Sequence, residues 1–279
     1  MIKTAVALGT FDGIHTAHRM VLNLPNGYKK VAVTFNIPPK MMFLGQTELL
    51  LSQSDKVNYL KEYGIDEVVS LDFNSVRDNS PESFLNYLKN EIGANYISCG
   101  FNYRFGKNGA GNTELLKQFC LENGIELNVA NSYLLEDGQV LSSSLIRSLL
   151  KEGECDKANC LLFKPFSFTA TVEKGDQRGR TIGFPTINQK YPTDLVKLRF
   201  GVYKTKVLFD GQEYEGITNI GNRPTFETDF VISETFIKNF SGNLYGREVT
   251  IVPLKFLRDE KKFSSVTDLK EQINKDLEN

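Results

Sequence analysis

The chain predicts two domains of different class: an α/β unit with a parallel sheet over residues 1–158, and an all-β unit, a small closed barrel with a C-terminal helix, over residues 159–279. Three observations carry this. The first half alternates short apolar runs with segments of helical spacing. The second half alternates apolar and polar residues with period two, between turns of Gly, Asp and Asn. The rhythm changes once, near Asn159, without a low-complexity linker, and a length of 279 residues suits two domains.

Along the first half, "TAVALG" and "KKVAVTF" read as strands. "SQSDKVNYLKEYG" opens with serine caps, spaces Val57, Leu60 and Tyr63 helically, and stops at Gly64. "DEVVSLDF" is a strand, and "SPESFLNYLKNEIG" a helix with Pro81 in its first turn, a capping Ser80 and Gly93 as its stop. "NYISCG", "NTELLKQFCLENG", "IELNVANSYLL" and "SSSLIRSLLKEGE" continue as strand, helix, strand, helix. This order implies a sheet covered on both faces, with ligands at the carboxyl ends of its strands. In the second half, "SFTATVEKG", "GVYKTKVLFDG", "QEYEGITNIG", "VISETFIKN" and "REVTIVPLKFL" are strands at hairpin-like intervals, and "SVTDLKEQINKDLEN" is a terminal helix.

Composition narrows the function classes. A net charge of -1 and a pI near 6.2 give no global field toward nucleic acid, so no nucleic-acid partner is expected. No apolar run approaches the roughly 20 residues that span a bilayer, and the N-terminus reads as a first strand rather than a signal peptide. Cys99, Cys120, Cys155 and Cys160 are scattered without metal-ligand spacing, as in reduced cytosolic proteins. A soluble cytoplasmic protein is expected.

"GTFDGIHTAH" follows the first strand and holds both histidines, His15 and His18. A strand, a glycine-bounded turn and a helix start gather phosphates, and imidazoles one turn apart share a face that can stabilise charge on a transferring group. A surface turn with two histidines is the plain alternative. "GFNYRFGKNGAG" adds a glycine-punctuated loop with aromatics, Asn102 and Arg104, suited to a planar ligand, and "SSSLIR" offers hydroxyls and Arg147 to a polyphosphate. In this order the motifs resemble the adenylyltransferase module of the bifunctional bacterial riboflavin kinase/FAD synthetase family, a nucleotidyltransferase of Rossmann-like fold marked by an HxGH element. The resemblance implies that Gly9, Phe11, Asp12, His15 and His18 line an ATP phosphate site. It also implies that Ser142, Ser143 and Arg147 hold the triphosphate, and that Asn102 and Arg104 lie near the flavin. The chain departs from the pattern in three places. Ala17 stands where HxGH has glycine, only about a dozen residues separate His18 from "VAVTF", and "TFNIPP" replaces a "TFDPHP"-like segment.

"GDQRGRTIGFPTIN" is the most informative stretch of the second half. Its loop, from Gly175 through Arg180, supplies N–H donors and cations and runs into Thr186 and Asn188, two apart and so on one side of a strand. A hydroxyl and an amide carbonyl make a hard-oxygen pair suited to Mg²⁺ with phosphates and water. In "VISETFI", Glu234 sits between Ile232 and Phe236 on one face, the setting of a general base, or else of a strand-edge Glu facing water through a break in the barrel wall. With "GVY", "NIGNRPTF", "NLYG" and "FLRDEKKFSS" in order, this half resembles a riboflavin kinase domain. The resemblance implies a six-stranded Greek-key barrel in which Thr186 and Asn188 handle Mg²⁺–ATP and Glu234 deprotonates the ribityl 5′-hydroxyl. It also implies that Arg258 to Phe263 closes over flavin. The expected activities are riboflavin to FMN in the second domain and FMN to FAD in the first. The alternatives are a kinase with a vestigial first domain, and a flavin- or nucleotide-sensing regulator.

Overall fold

A computed structural model of the chain describes residues 2–44, 48–175, 179, 183–224 and 229–278. The chain divides into two compact units, Met1–Leu145 and Ile146–Asn279.

The first unit is built on strands β1 (Thr4–Leu8), β2 (Lys29–Phe35), β3 (Glu67–Leu71), β4 (Ala94–Gly100) and β5 (Glu126–Ala130). All pair in parallel, in the order β3-β2-β1-β4-β5. The order reverses between β1 and β4, so the crevice at their carboxyl ends is where such a sheet takes its ligand. Helices α1 (Thr16–Leu22), α2 (Pro39–Leu44), α3 (Gln53–Glu62), α4 (Phe73–Val76), α5 (Pro81–Asn90) and α6 (Thr113–Glu122) join the strands. The caps read from the sequence are in place: the Ser80 hydroxyl accepts from the Ser83 amide at 3.2 Å, and Ser52 from Asp55 at 3.1 Å. Leu85 and Leu88 of α5 and Leu116 and Cys120 of α6 pack on Val6, Val31, Ile97 and Cys99 of the sheet. Each large side chain so buried contributes about 1.5–3 kcal/mol.

Some expectations shift. The strand begun by "IELNV" ends at Ala130, where its partner β4 ends, and the following residues form a ribbon bridged at Leu134–Val140. The helices α2 and α4, and α8 (Cys155–Leu161) in the second unit, are too short to announce themselves by periodicity. A longer helix, α7 (Ser143–Glu152), begins at the serine run as expected.

The second unit is a closed barrel of β6 (Phe168–Glu173), β7 (Thr186–Lys190), β8 (Gly201–Phe209), β9 (Gln212–Pro224), β10 (Asp229–Ile237) and β11 (Glu248–Arg258), in the order β10-β7-β6-β11-β8-β9. Phe168, Ile251 and Val207 face one another across β6, β11 and β8. A buried hydroxyl ladder, Thr205 to Thr218 to Thr235 with 2.9 Å links, crosses β8, β9 and β10. Because a one-residue slip would turn these hydroxyls outward, the ladder helps to set the register.

The glycine of "GVY" has a steric reason. Gly201 has φ +144°, and a Cβ there would lie 2.4 Å from the Arg258 carbonyl and 2.7 Å from the Phe256 ring. Gly201→Ala is therefore expected to destabilise the barrel by about 2–4 kcal/mol, through backbone strain and overpacking. The check is a thermal melt followed by circular dichroism, in which an unchanged midpoint would refute it. Helix α9 (Val266–Glu278) completes the chain.

Candidate active sites

The turn after β1 is strained and pinned. Phe11 and Ile14 hold φ values of +47° and +44°, left-handed conformations that cost on the order of 1–3 kcal/mol each. Three bonds hold the segment. The Asp12 carboxylate accepts from the Leu50 amide at 2.9 Å, the Asp12 carbonyl from the Ser143 hydroxyl at 2.9 Å, and the Thr10 carbonyl from Thr34 at 3.0 Å. Asp12 is buried, so here it shapes the turn. Phe11 is fully buried against the open face of Gly9, with its ring edge-on to His18 at 5.5 Å.

His15 caps α1: its Nδ1 accepts from the His18 amide at 3.4 Å. The two imidazoles stack with centroids 3.7 Å apart. Burial, then the charge of His15, lowers the His18 pKa well below the ordinary histidine value, so its ring is neutral at pH 7. Among the described residues the buried His18 Nδ1 has no hydrogen-bond partner. A buried polar atom without a partner is costly, and a phosphate oxygen is the kind of group that would satisfy it. Ser143 joins this turn through Asp12, and the Ser142 hydroxyl caps α7 by accepting from the Leu145 amide at 3.3 Å. Arg147 lies one turn further along α7.

A second feature of the first unit is a cavity of about 630 Å³. Phe35, Phe73, Phe84, Tyr103 and Phe105 supply aromatic walls, and Arg77 and Arg104 are the cations on its lining. Phe35 and Phe73 meet edge to face at 5.8 Å. Arg104 lies on this lining, whereas Asn102 is outside it. Tyr103 and Phe105 belong to the loop whose aromatics the sequence marked, whereas Phe35, Phe73 and Phe84 went unmarked. Their one local signal was Phe35 and Phe73 at the carboxyl ends of β2 and β3, where such sheets bind ligands.

On the barrel, the pairing register places Thr186 opposite Phe236, Asn188 opposite Glu234, and Glu234 opposite Asn219. Thr186 and Asn188 share one side, as expected, and Glu234 joins them. Ser233 and Thr235 are fully buried inside, so Glu234 faces outward with half-buried Ile232 and Phe236. β10 runs between β7 and β9 in a closed wall, so Glu234 does not lie on an edge strand.

Glu234 is therefore flanked by two amides. The buried Oδ1 atoms of Asn188 and Asn219 both lack a hydrogen-bond partner among the described residues, while the Asn219 amide donates to Glu260 at 3.0 Å. A Cβ on Gly175 would meet the Asn188 side chain at 2.5 Å, and one on Gly179 would meet the Phe184 carbonyl at 2.3 Å and Thr186 Oγ1 at 3.4 Å. Glycine is what lets the backbone at these two positions lie against the Thr186–Asn188 pair. Arg180 lies outside the described residues.

Among the described residues no cluster of three His, Cys, Asp or Glu could hold a metal. An unpartnered amide oxygen near a threonine hydroxyl is instead the partial oxygen set that suits Mg²⁺ carried in by phosphates. Arg258 binds Asp276 of α9 through both its Nε and Nη2, at 3.0 and 2.8 Å, and lies over the Phe263 ring. Asp276 is buried, so the pair anchors the terminal helix beneath the "FLRDEKKF" segment.

The FAD synthetase family profile matches residues 1–145, and that of riboflavin kinase residues 162–279. The chain belongs to the bifunctional riboflavin kinase/FMN adenylyltransferase family. The family's protein from Listeria monocytogenes is 31% identical, over 99% of this chain and 90% of its own length. That from Bacillus subtilis is 31% identical over 98% and 90%, and that from Haemophilus influenzae 32% over 98% and 92%. A crystal structure from Streptococcus pneumoniae, titled a macrolide-efflux protein, matches at a TM-score of 0.90 and 29% identity, covering 99% of this chain and 93% of its own. Among the described residues no helix is long and apolar enough to cross a membrane. Both family domains are thus present, including the one that contains Ala17 and the seven-residue α1.

Proposed function

We propose that the chain converts riboflavin to FMN on the outer face of its barrel, and FMN to FAD at the carboxyl edge of its parallel sheet. The observation that carries the first step is the register that sets Glu234 beside Asn188, two residues from Thr186. Glu234 takes the proton of the ribityl 5′-hydroxyl as that oxygen attacks the γ-phosphorus of ATP, and ADP leaves. Thr186 Oγ1 and Asn188 Oδ1 would hold Mg²⁺, which when bound neutralises phosphate charge. Gly175 and Arg180 serve the phosphates of ATP. Through its Asp276 anchor, Arg258 positions the segment that covers the flavin.

In the second step a phosphate oxygen of FMN attacks the α-phosphorus of ATP, and pyrophosphate leaves. The aromatic cavity holds the flavin ring against Arg104, with Asn102 at the loop outside it. Gly9, Phe11 and Asp12 shape the turn that presents His15 and His18 to the phosphates. Ser142, Ser143 and Arg147 serve the triphosphate from the start of α7. Hydrogen-bond donors fixed where charge develops are the main catalytic resource of such a site. A chain of net charge -1 fits small-molecule substrates in the cytoplasm and no nucleic-acid partner.

The deciding experiment incubates the purified chain with riboflavin, ATP and Mg²⁺ and separates the flavins chromatographically. FMN followed by FAD is expected, and neither should form with excess chelator. FMN alone would leave a kinase with a vestigial first domain, and no FMN would overturn the proposal.

A further inference from the structure

The first unit buries a cation that the two-step reading leaves without a role. Lys56, on α3, is 3% exposed. Its ammonium donates to the Phe35 carbonyl at 2.5 Å and reaches the Asn36 carbonyl at 3.5 Å, just where β2 ends. Burial lowers its pKa to about 8, and the charge of Asp12 acts in the opposite direction. A buried ammonium is an expensive way to fill a core, and an apolar side chain of similar length avoids the desolvation. What the apolar chain lacks is the means to bind two strand-end carbonyls while attracting the Asp12 carboxylate.

The partners of Lys56 belong to the two halves of the candidate site. Phe35 is a wall of the aromatic cavity. Asp12 shapes the turn that carries His15 and His18. Neighbouring residues reinforce the same junction: the Leu50 amide donates to Asp12 at 2.9 Å, and Gln53 donates to Asn36 at 3.2 Å and to Ser70 of β3 at 3.1 Å. The segment from Leu50 to Lys56 thus binds the turn after β1 and the ends of β2 and β3, and Lys56 is its buried cation.

We propose that Lys56 is a positioning residue for adenylyl transfer, fixing the cavity wall at Phe35 relative to the phosphate turn at Asp12. It does not touch substrate; it sets where the flavin phosphate lies with respect to the α-phosphorus of ATP. This inference rests on the two-step reading. Lys56→Met should lower kcat for FAD formation from supplied FMN by about 10²-fold, the usual effect of a misplacement near 1 Å. KM for FMN and for ATP should stay within roughly threefold, since each subsite keeps its own contacts. FMN formation by the barrel should not change. Lys56→Arg keeps charge and donors and should remain within roughly tenfold of the parent. A near-parental kcat in the Met variant, a loss carried by KM alone, or equal losses in both variants would overturn the assignment. A parent chain that makes FMN but no FAD would overturn instead the reading on which it rests.

Discussion

Glu234→Gln lowers the rate of FMN formation by about 10²–10⁴-fold, the usual worth of a general base, and leaves the barrel folded. The substitution keeps the shape of the side chain and removes its basicity. Glu234 projects outward from the middle of β10, while the packed face of that strand is made by Ser233, Thr235 and Ile237. Stability and chemistry are thus carried on opposite sides of the same strand, and one can change without the other. The check is turnover of riboflavin alongside a thermal melt. FAD formation from supplied FMN should be unaffected, because that site lies in the other unit. Near-parental kinase turnover would remove Glu234 as the base.

His18→Ala gives the converse pattern: FAD formation from supplied FMN falls by about 10²–10³-fold, as when one preorganised donor is lost, and FMN formation continues. In the free site burial and His15 hold the His18 ring neutral. Bound phosphate supplies negative charge and favours the protonated ring, so binding is expected to take up a proton near and below the ordinary histidine pKa. The substitution also removes a buried nitrogen that has no hydrogen-bond partner among the described residues. That gain offsets part of the lost contact with the Phe11 and His15 rings, so the melt should move little. Unchanged FAD output in the alanine variant would show that the stacked pair has no part in phosphate handling.

The two sites were legible in the sequence to different degrees. Thr186 and Asn188 were readable as a pair because residues two apart in a strand share a side whatever surrounds them. His15 and His18 were readable as neighbours for a similar reason, although the contact is a stack between a cap and the first turn of α1. The cavity was mostly illegible. Phe35, Phe73, Phe84 and Phe105 come from separate elements, and no local spacing relates them. Asn219 stayed hidden among the alternating polar residues of β9, and no local pattern marked Lys56. Asp12 was read as lining the phosphate site, and what the sequence did not show is that its oxygens hold Leu50 and Ser143.

By itself the sequence determined the two domain classes, the helix caps at Ser52 and Ser80, the turn after β1, and the residue types available for each reaction. These follow from backbone geometry, capping and periodicity, which act over a few residues. Only the tertiary structure decided that Glu234 faces out of the barrel between two asparagines, that aromatic side chains from β2, α4, α5 and the loop after β4 enclose one cavity, and that a lysine is buried against the end of β2. Period two offers either face of a strand to the core, and a charged side chain accepts burial only where distant partners satisfy it. Both choices are made by contacts between residues far apart in the chain, and that is where this protein assembles its chemistry.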